Sequence, residues 1–275
     1  MRQLIATLGK IIIIMSSKSQ RKKIFLSKHP VCCFCGGETQ ATEPDHIPSR
    51  VLFDNRQWPE GYEFPACVAC NRETRHDEQV VAMLSRVYPD ADTPEGLKET
   101  QERIRAVAHN YPEILVEMQP TIRQKRNAAK KYNIAIPEGK GSADIPALSL
   151  KGPLVNKAVT NFGRKLFLAL YYKHTGEILS KKAGIALLWF SNLQIEHGEL
   201  PREIASLVSN FPTLERCNTN LYDQFFYRYV VSECRKQAVF VAFFRQSFAI
   251  LGYINKKASD FKLPDGATIL SPFEH

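Results

Sequence analysis

The spacing of apolar residues divides this chain into stretches of different period. Residues 77–88 carry Val80, Val81, Leu84 and Val87 on one face at helical spacing, which predicts an amphipathic helix. Thr93-Pro94-Glu95 marks a second helix start, running to about Asn110. The apolar run at 111–119 fits either helix or strand, and a basic segment follows at 121–132. Residues 134–152 are rich in Pro, Gly and Ser and read as a linker with one short strand near 134–136. From 154 to 174, Leu154, Val155, Ala158, Val159, Phe162, Leu166, Phe167, Leu170 and Tyr171 recur at helical spacing, predicting a long helix ended by Thr175-Gly176. A strand is expected at 185–193 and a short helix at 201–208, with Pro201 in its first turn. Three runs rich in β-branched and aromatic residues, 224–231, 237–244 and 248–254, have short connections and predict an antiparallel meander. Their aromatic density reads as core and not as a base-stacking platform. Near the N-terminus, 21–27 is helix-like.

With 275 residues, 44% of them hydrophobic and 24% charged, the chain can bury a substantial core, and two folded units are expected. The boundary falls in the 134–152 linker. This gives an arm at 1–27, a compact module at 28–88, a helical connection and linker at 89–150, and an α+β domain with a small antiparallel sheet at 151–275. The run Ile11-Ile12-Ile13-Ile14 is interrupted upstream by Gly9-Lys10, with Lys and Arg where a mature chain would begin, so it is not read as a signal peptide. It is also too short to span a bilayer, and no membrane partner is expected. Met15 is the expected physiological start, with 1–14 a leading segment outside it.

The cysteines change the picture. Cys32/Cys35 and Cys67/Cys70 are two C-x-x-C pairs, the spacing by which two short knuckles present four thiolates to one tetrahedral Zn²⁺. Gly36-Gly37 supply the turn of the first knuckle, and Cys33 is a spare thiol. With four of seven cysteines assigned to metal, the scattered Cys33, Cys217 and Cys234 fit a reducing, cytoplasmic setting better than a disulfide framework. Between the pairs lies Glu43-Pro44-Asp45-His46-Ile47-Pro48-Ser49-Arg50, and Asn71 follows the second pair directly. Closing the zinc knot brings Asn71, at the start of a helix, towards Asp45 and His46 at the end of a short strand.

These residues resemble the HNH endonucleases of the ββα-metal fold, in the subset with D-H-[IV]-P followed by P-[AS]-C-x-x-C-N. The four-cysteine site is also similar to that of phage endonuclease VII. The resemblance covers residues 28–88 and implies a zinc-stabilised ββα module within an α+β protein, the helix at 77–88 being its α element. It implies that His46 is the general base, taking a proton from water as it attacks phosphorus. It further implies a catalytic Mg²⁺ or Mn²⁺ held by the oxygens of Asp45 and Asn71, beside a structural zinc. The chain departs from the family where a middle Asn orients the base: that slot holds Tyr62, leaving Asn55 or a backbone carbonyl for the task. His76 stands where the subset often has Lys, as a phosphate contact, a metal ligand or a surface residue.

Charge is unevenly spread along a chain of net +9. Residues 1–28 hold seven basic and no acidic side chains, 29–120 eight and sixteen, 121–175 eleven and two, and 176–275 eleven and ten. The module is itself acidic, so its grip on a polyanion is expected from the flanks. Arg21, Lys22, Lys23, Arg50, Arg123, Lys125, Arg126, Lys130 and Lys131 are the candidate nucleic-acid contacts, with DNA the expected partner and RNA the alternative. Two other readings stay open: a non-catalytic zinc module that binds nucleic acid or a protein partner, and a solvated basic helix at 121–132.

Overall fold

The computed structural model describes residues 17–87, 93–136, 138–200, 210–261 and 269–273. The expected start at Met15, the leading segment 1–14 and the helix at 201–208 lie outside the described residues.

A long helix organises the fold. α7 (Pro153–Thr175) starts with Pro153 in its first turn, where no backbone donor is lost, and stops at Gly176, whose φ of 71° favours glycine. Its buried residues run all round the helix, from Val155 and Val159 through Phe162, Lys165, Leu166 and Phe167 to Tyr171. A helix buried on every side needs two partners.

One partner is a five-stranded antiparallel sheet in the order β6-β7-β8-β3-β9, built from β3 (Gly184–Ser191), β6 (Phe225–Val231), β7 (Gln237–Phe244), β8 (Phe248–Asn255) and β9 (Ile269–Leu270). The expected meander is present, with Phe225 opposite Phe244 and Phe244 opposite Phe248. Phe167 of α7 stacks on Phe240, and a Cβ at Gly252 would stand 2.3 Å from the Phe167 ring, so glycine lets helix and sheet approach. After β3 the chain turns into the short helix α8 (Asn192–Glu196).

The other partner is the N-terminal region. α1 (Lys18–Lys28) carries a Ser17/Gln20 capping box and leads into β1 (Glu43–His46). β1 pairs antiparallel with β2 (Glu63–Ala66), placing Asp45 opposite Phe64 and His46 opposite Glu63. α2 (Val68–Glu73) and α3 (Arg75–Leu84) follow, separated at Thr74. The expected helix at 77–88 therefore begins at Arg75 and ends at Leu84. α3 lays Val80, Val81 and Leu84 into the core against α7.

α4 (Pro94–Asn110), α5 (Pro112–Glu117) and α6 (Ile122–Lys131) form the connection. The ambiguous run at 111–119 is helical, Pro112 opening α5. Residues 134–136 are not a strand; they have no pairing partner, and Ile134 N–H instead donates to Ala129 O at the end of α6. One core runs without a break from Cys32 to Ile254. Tyr62 Oη and Tyr227 Oη, 2.9 Å apart, join the two halves, as does the bond from Ser247 Oγ to Ser85 O (2.8 Å).

Candidate metal centre and active site

The Sγ atoms of Cys32, Cys35, Cys67 and Cys70 lie within 4.8 Å of one another, all four side chains buried. In the first knuckle Cys32 N–H donates to Thr39 O (2.9 Å) and Gly37 N–H to Cys32 O (3.1 Å), with Gly36 and Gly37 at φ 68° and 76°. A side chain there would be strained, so this turn requires its glycines. In the second knuckle Cys67 is the N-cap of α2, and Cys70 follows within the first turn. Hydrogen bonding from Cys70 and from backbone N–H groups holds the Cys32 thiol down to about 5, against its burial. Four convergent soft donors of this kind can hold a zinc ion. Cys33 lies outside the cluster, buried, with its thiol raised by desolvation.

Successive residues of an extended strand face opposite ways, and β1 sends Asp45 and His46 to different surroundings. Asp45 is only 8% exposed, and its Oδ2 lies 2.7 Å from Lys165 Nζ of α7. The same ammonium donates to Thr74 Oγ1 (2.9 Å) and lies 3.6 Å from Glu78 Oε1. Burial raises the Asp45 carboxyl to about 6 against the pull of Lys165. Burial by itself would drive Lys165 towards its neutral form, yet the charges of Asp45 and Glu78 outweigh it and hold its pKa above the ordinary lysine value.

This arrangement does not fit a hard divalent ion at Asp45. Such an ion keeps several waters and needs an open carboxylate, whereas this one is buried against a cation of the chain itself. Asn71 sits in the first turn of α2, half-buried, its N–H bonded to Cys67 O (3.0 Å). Among the described residues no contact joins its side chain to Asp45 or His46.

His46 looks the other way. Its ring packs 4.5 Å from that of Trp58, and its Nδ1, buried and without a hydrogen-bond partner, faces Glu63 Oε1 at 3.9 Å. Trp58 Nε1 donates to the same carboxylate oxygen (3.3 Å). Glu63 therefore faces the imidazole from beyond hydrogen-bond distance. Asn55 is elsewhere, on the rim of a cleft of about 690 Å³ with Arg86 and Glu99. Burial, with the charges of Arg50, Arg216 and Lys18, lowers His46 to about 4. The imidazole is neutral at pH 7.

Two guanidinium groups lie over the Trp58 ring, Arg50 at 4.5 Å and Arg216 at 3.9 Å from its centroid. Cationic groups therefore stand at His46 itself and not only on the flanks. The expected flanking contacts divide. Arg21, Lys22 and Lys23 are exposed on α1, and Arg123, Arg126 and Lys130 on α6. Lys125 donates to Ala143 O (2.7 Å) and Lys131 pairs with Glu199 (2.8 Å), so part of the basic helix is used within the fold. His76 is exposed and packs on Tyr111.

Sequence reasoning missed Lys165, Glu63, Trp58 and Arg216. Glu63 had a signal: pairing the two short strands around the Cys67 knuckle puts it opposite His46. Lys165 also had one, as a lone cation among the apolar positions of a long helix. No family model, curated protein or solved structure matches the chain.

Proposed function

We propose that this protein hydrolyses phosphodiester bonds of nucleic acid, with DNA the preferred polymer and His46 the general base. The observation that carries the reading is the His46 ring packed on Trp58, with Arg50 and Arg216 over the same indole, on a strand that lies in the chain between the two cysteine knuckles.

With Nδ1 turned inward to Glu63, the tautomer carrying its proton there leaves the Nε2 lone pair to accept one from water. The water oxygen gives its proton to Nε2 and bonds to phosphorus as the P–O bond to the leaving oxygen breaks; charge gathers on the phosphoryl oxygens, and the leaving oxygen takes a proton from solvent water. Guanidinium groups held at the reaction centre offset that charge, and do so more strongly where burial lowers the local dielectric. Trp58 packs against the ring, and the Glu63 carboxylate at 3.9 Å offsets part of the charge of the imidazolium that forms. Zinc held by Cys32, Cys35, Cys67 and Cys70 would fix the loop that leads into β1 and the helix that follows β2. No step is assigned to a divalent ion, because Lys165 holds Asp45.

The test is plasmid nicking by zinc-loaded protein, with and without Mg²⁺ or Mn²⁺ and after chelation of free ions, with an RNA substrate in parallel. Nicking that disappears in His46→Ala supports the reading, and equal activity in that variant defeats it. Dependence on Mg²⁺ or Mn²⁺ would overturn the mechanism without a divalent ion. The pairing of Asp45 with Lys165 favours one second reading, a zinc module that binds nucleic acid without cutting it. Tight binding with no cleavage under any of these conditions would establish it.

A further inference from the structure

We propose that the hairpin at 215–220 supplies Arg216 as a phosphate-binding residue of the His46 site, so that Arg216 and Arg50 together grip a nucleic-acid backbone across the Trp58 ring. The inference rests on the nucleic-acid reading above and adds a residue from the far half of the chain.

The hairpin is built to hold that side chain in place. β4 (Glu215–Arg216) and β5 (Thr219–Asn220) are joined by Cys217 and Asn218, at φ 48° and 65°. Two consecutive positive φ values are what a two-residue turn between twisted strands needs. The ribbon is fixed on the loop before β2 from both sides of Arg216. Glu60 N–H donates to Glu215 O (2.9 Å), and Cys217 N–H donates to Glu60 Oε1 (3.1 Å). Arg216 is thereby set over Trp58, whose ring also touches His46.

The guanidinium is held in a way that leaves its chemistry available. Stacking on an aromatic face uses the flat side of the group and leaves the N–H fork in its plane open. Among the described residues no carboxylate pairs with Arg216 or with Arg50, whereas Arg86, Arg164 and Arg245 all have carboxylate partners. Two unpaired forks on one ring, beside a neutral imidazole, match the planar, bidentate demand of a phosphodiester. A merely structural arginine covering Trp58 would not need a second one there.

The experiment is a titration of a short labelled DNA duplex against His46→Ala protein at several salt concentrations, so that binding is read without cleavage. Added to that background, Arg216→Gln should weaken binding about tenfold, as expected for a lost charged hydrogen bond. It should also flatten the log–log salt dependence by about 0.9. Arg50→Gln should do the same, and Arg216→Lys should keep the slope. Lys181→Gln removes one surface charge paired with Glu38, away from this site, and should change nothing. Parental affinity and slope in Arg216→Gln would overturn the proposal alone, as would an equal loss of slope in Arg216→Lys. A parent protein that binds no duplex at any salt would overturn the nucleic-acid reading and this inference with it.

Discussion

The two sides of β1 use one strand for opposite ends. On one side Asp45 is shut in with Lys165, Thr74 and Glu78, two carboxylates sharing one ammonium. On the other, His46 has a buried Nδ1 without a hydrogen-bond partner, a carboxylate at 3.9 Å and two open arginine forks at its edge. Opposite charges tie elements together, while the like charges on the other side are what the proposed polyanion would meet. The Asp-His dipeptide, read as one catalytic unit, places its two side chains in different surroundings because a strand alternates.

Removing the zinc should collapse both sides together, the largest effect expected. Binding at structural sites of this type is worth roughly 10–16 kcal/mol of apparent free energy. Serine at Cys32, Cys35, Cys67 or Cys70 should give metal-free, unfolded protein, checked by metal analysis and circular dichroism, and serine at Cys33 should not. Zinc-free protein that melts like the parent would mean the cysteines frame neither side.

The next largest effects should separate the sides. Lys165→Ala leaves two buried carboxylates uncompensated and should cost about 3–5 kcal/mol in urea unfolding. Asp45→Asn in the same chain should recover part of that loss. His46→Ala should reduce cleavage about 10²–10⁴-fold, with the unfolding midpoint nearly unchanged. Stability lost at His46 and spared at Lys165 would reverse the comparison.

The smallest effect lies in pH. His46 titrates at about 4 in the fold against 6.5 when free, so between these values the unfolded chain binds more protons. Its contribution to stability is complete above pH 6.5 and is lost as pH falls towards 4. His174, also lowered to about 4 by burial, acts with the same sign. Only the difference between parent and His46→Gln isolates His46. The two should match near pH 7, the parent should fall below His46→Gln in stability as pH drops towards 4, and the acid limb of the cleavage profile should fall near 4, not 6.5.

Much of this was legible in the chain. The two C-x-x-C pairs converge, α7 spans almost its expected residues, and the meander forms where β-branched and aromatic residues gather. Those signals are local or periodic, and one sequence displays them directly. What could not be read is contact at long range. Lys165 meets Asp45 across 120 positions and Arg216 meets Trp58 across 158, and no period or motif encodes either meeting. The segment charges misled for the same reason. The basic stretch at 121–175 includes Lys125, Lys131, Arg164 and Lys165, each with a partner inside the fold.

The placement of Lys165 on α7 also sets an order in time. A chain still being made has long since exposed both knuckles, Asp45, His46 and Glu78 when Pro153 appears. Until α7 docks, the two carboxylates have no cation between them and the buried face of α3 has no cover. Arg216 arrives later still. The growing polypeptide therefore carries Asp45 without its cation, and the Trp58 ring without its second arginine, until those later segments have been made.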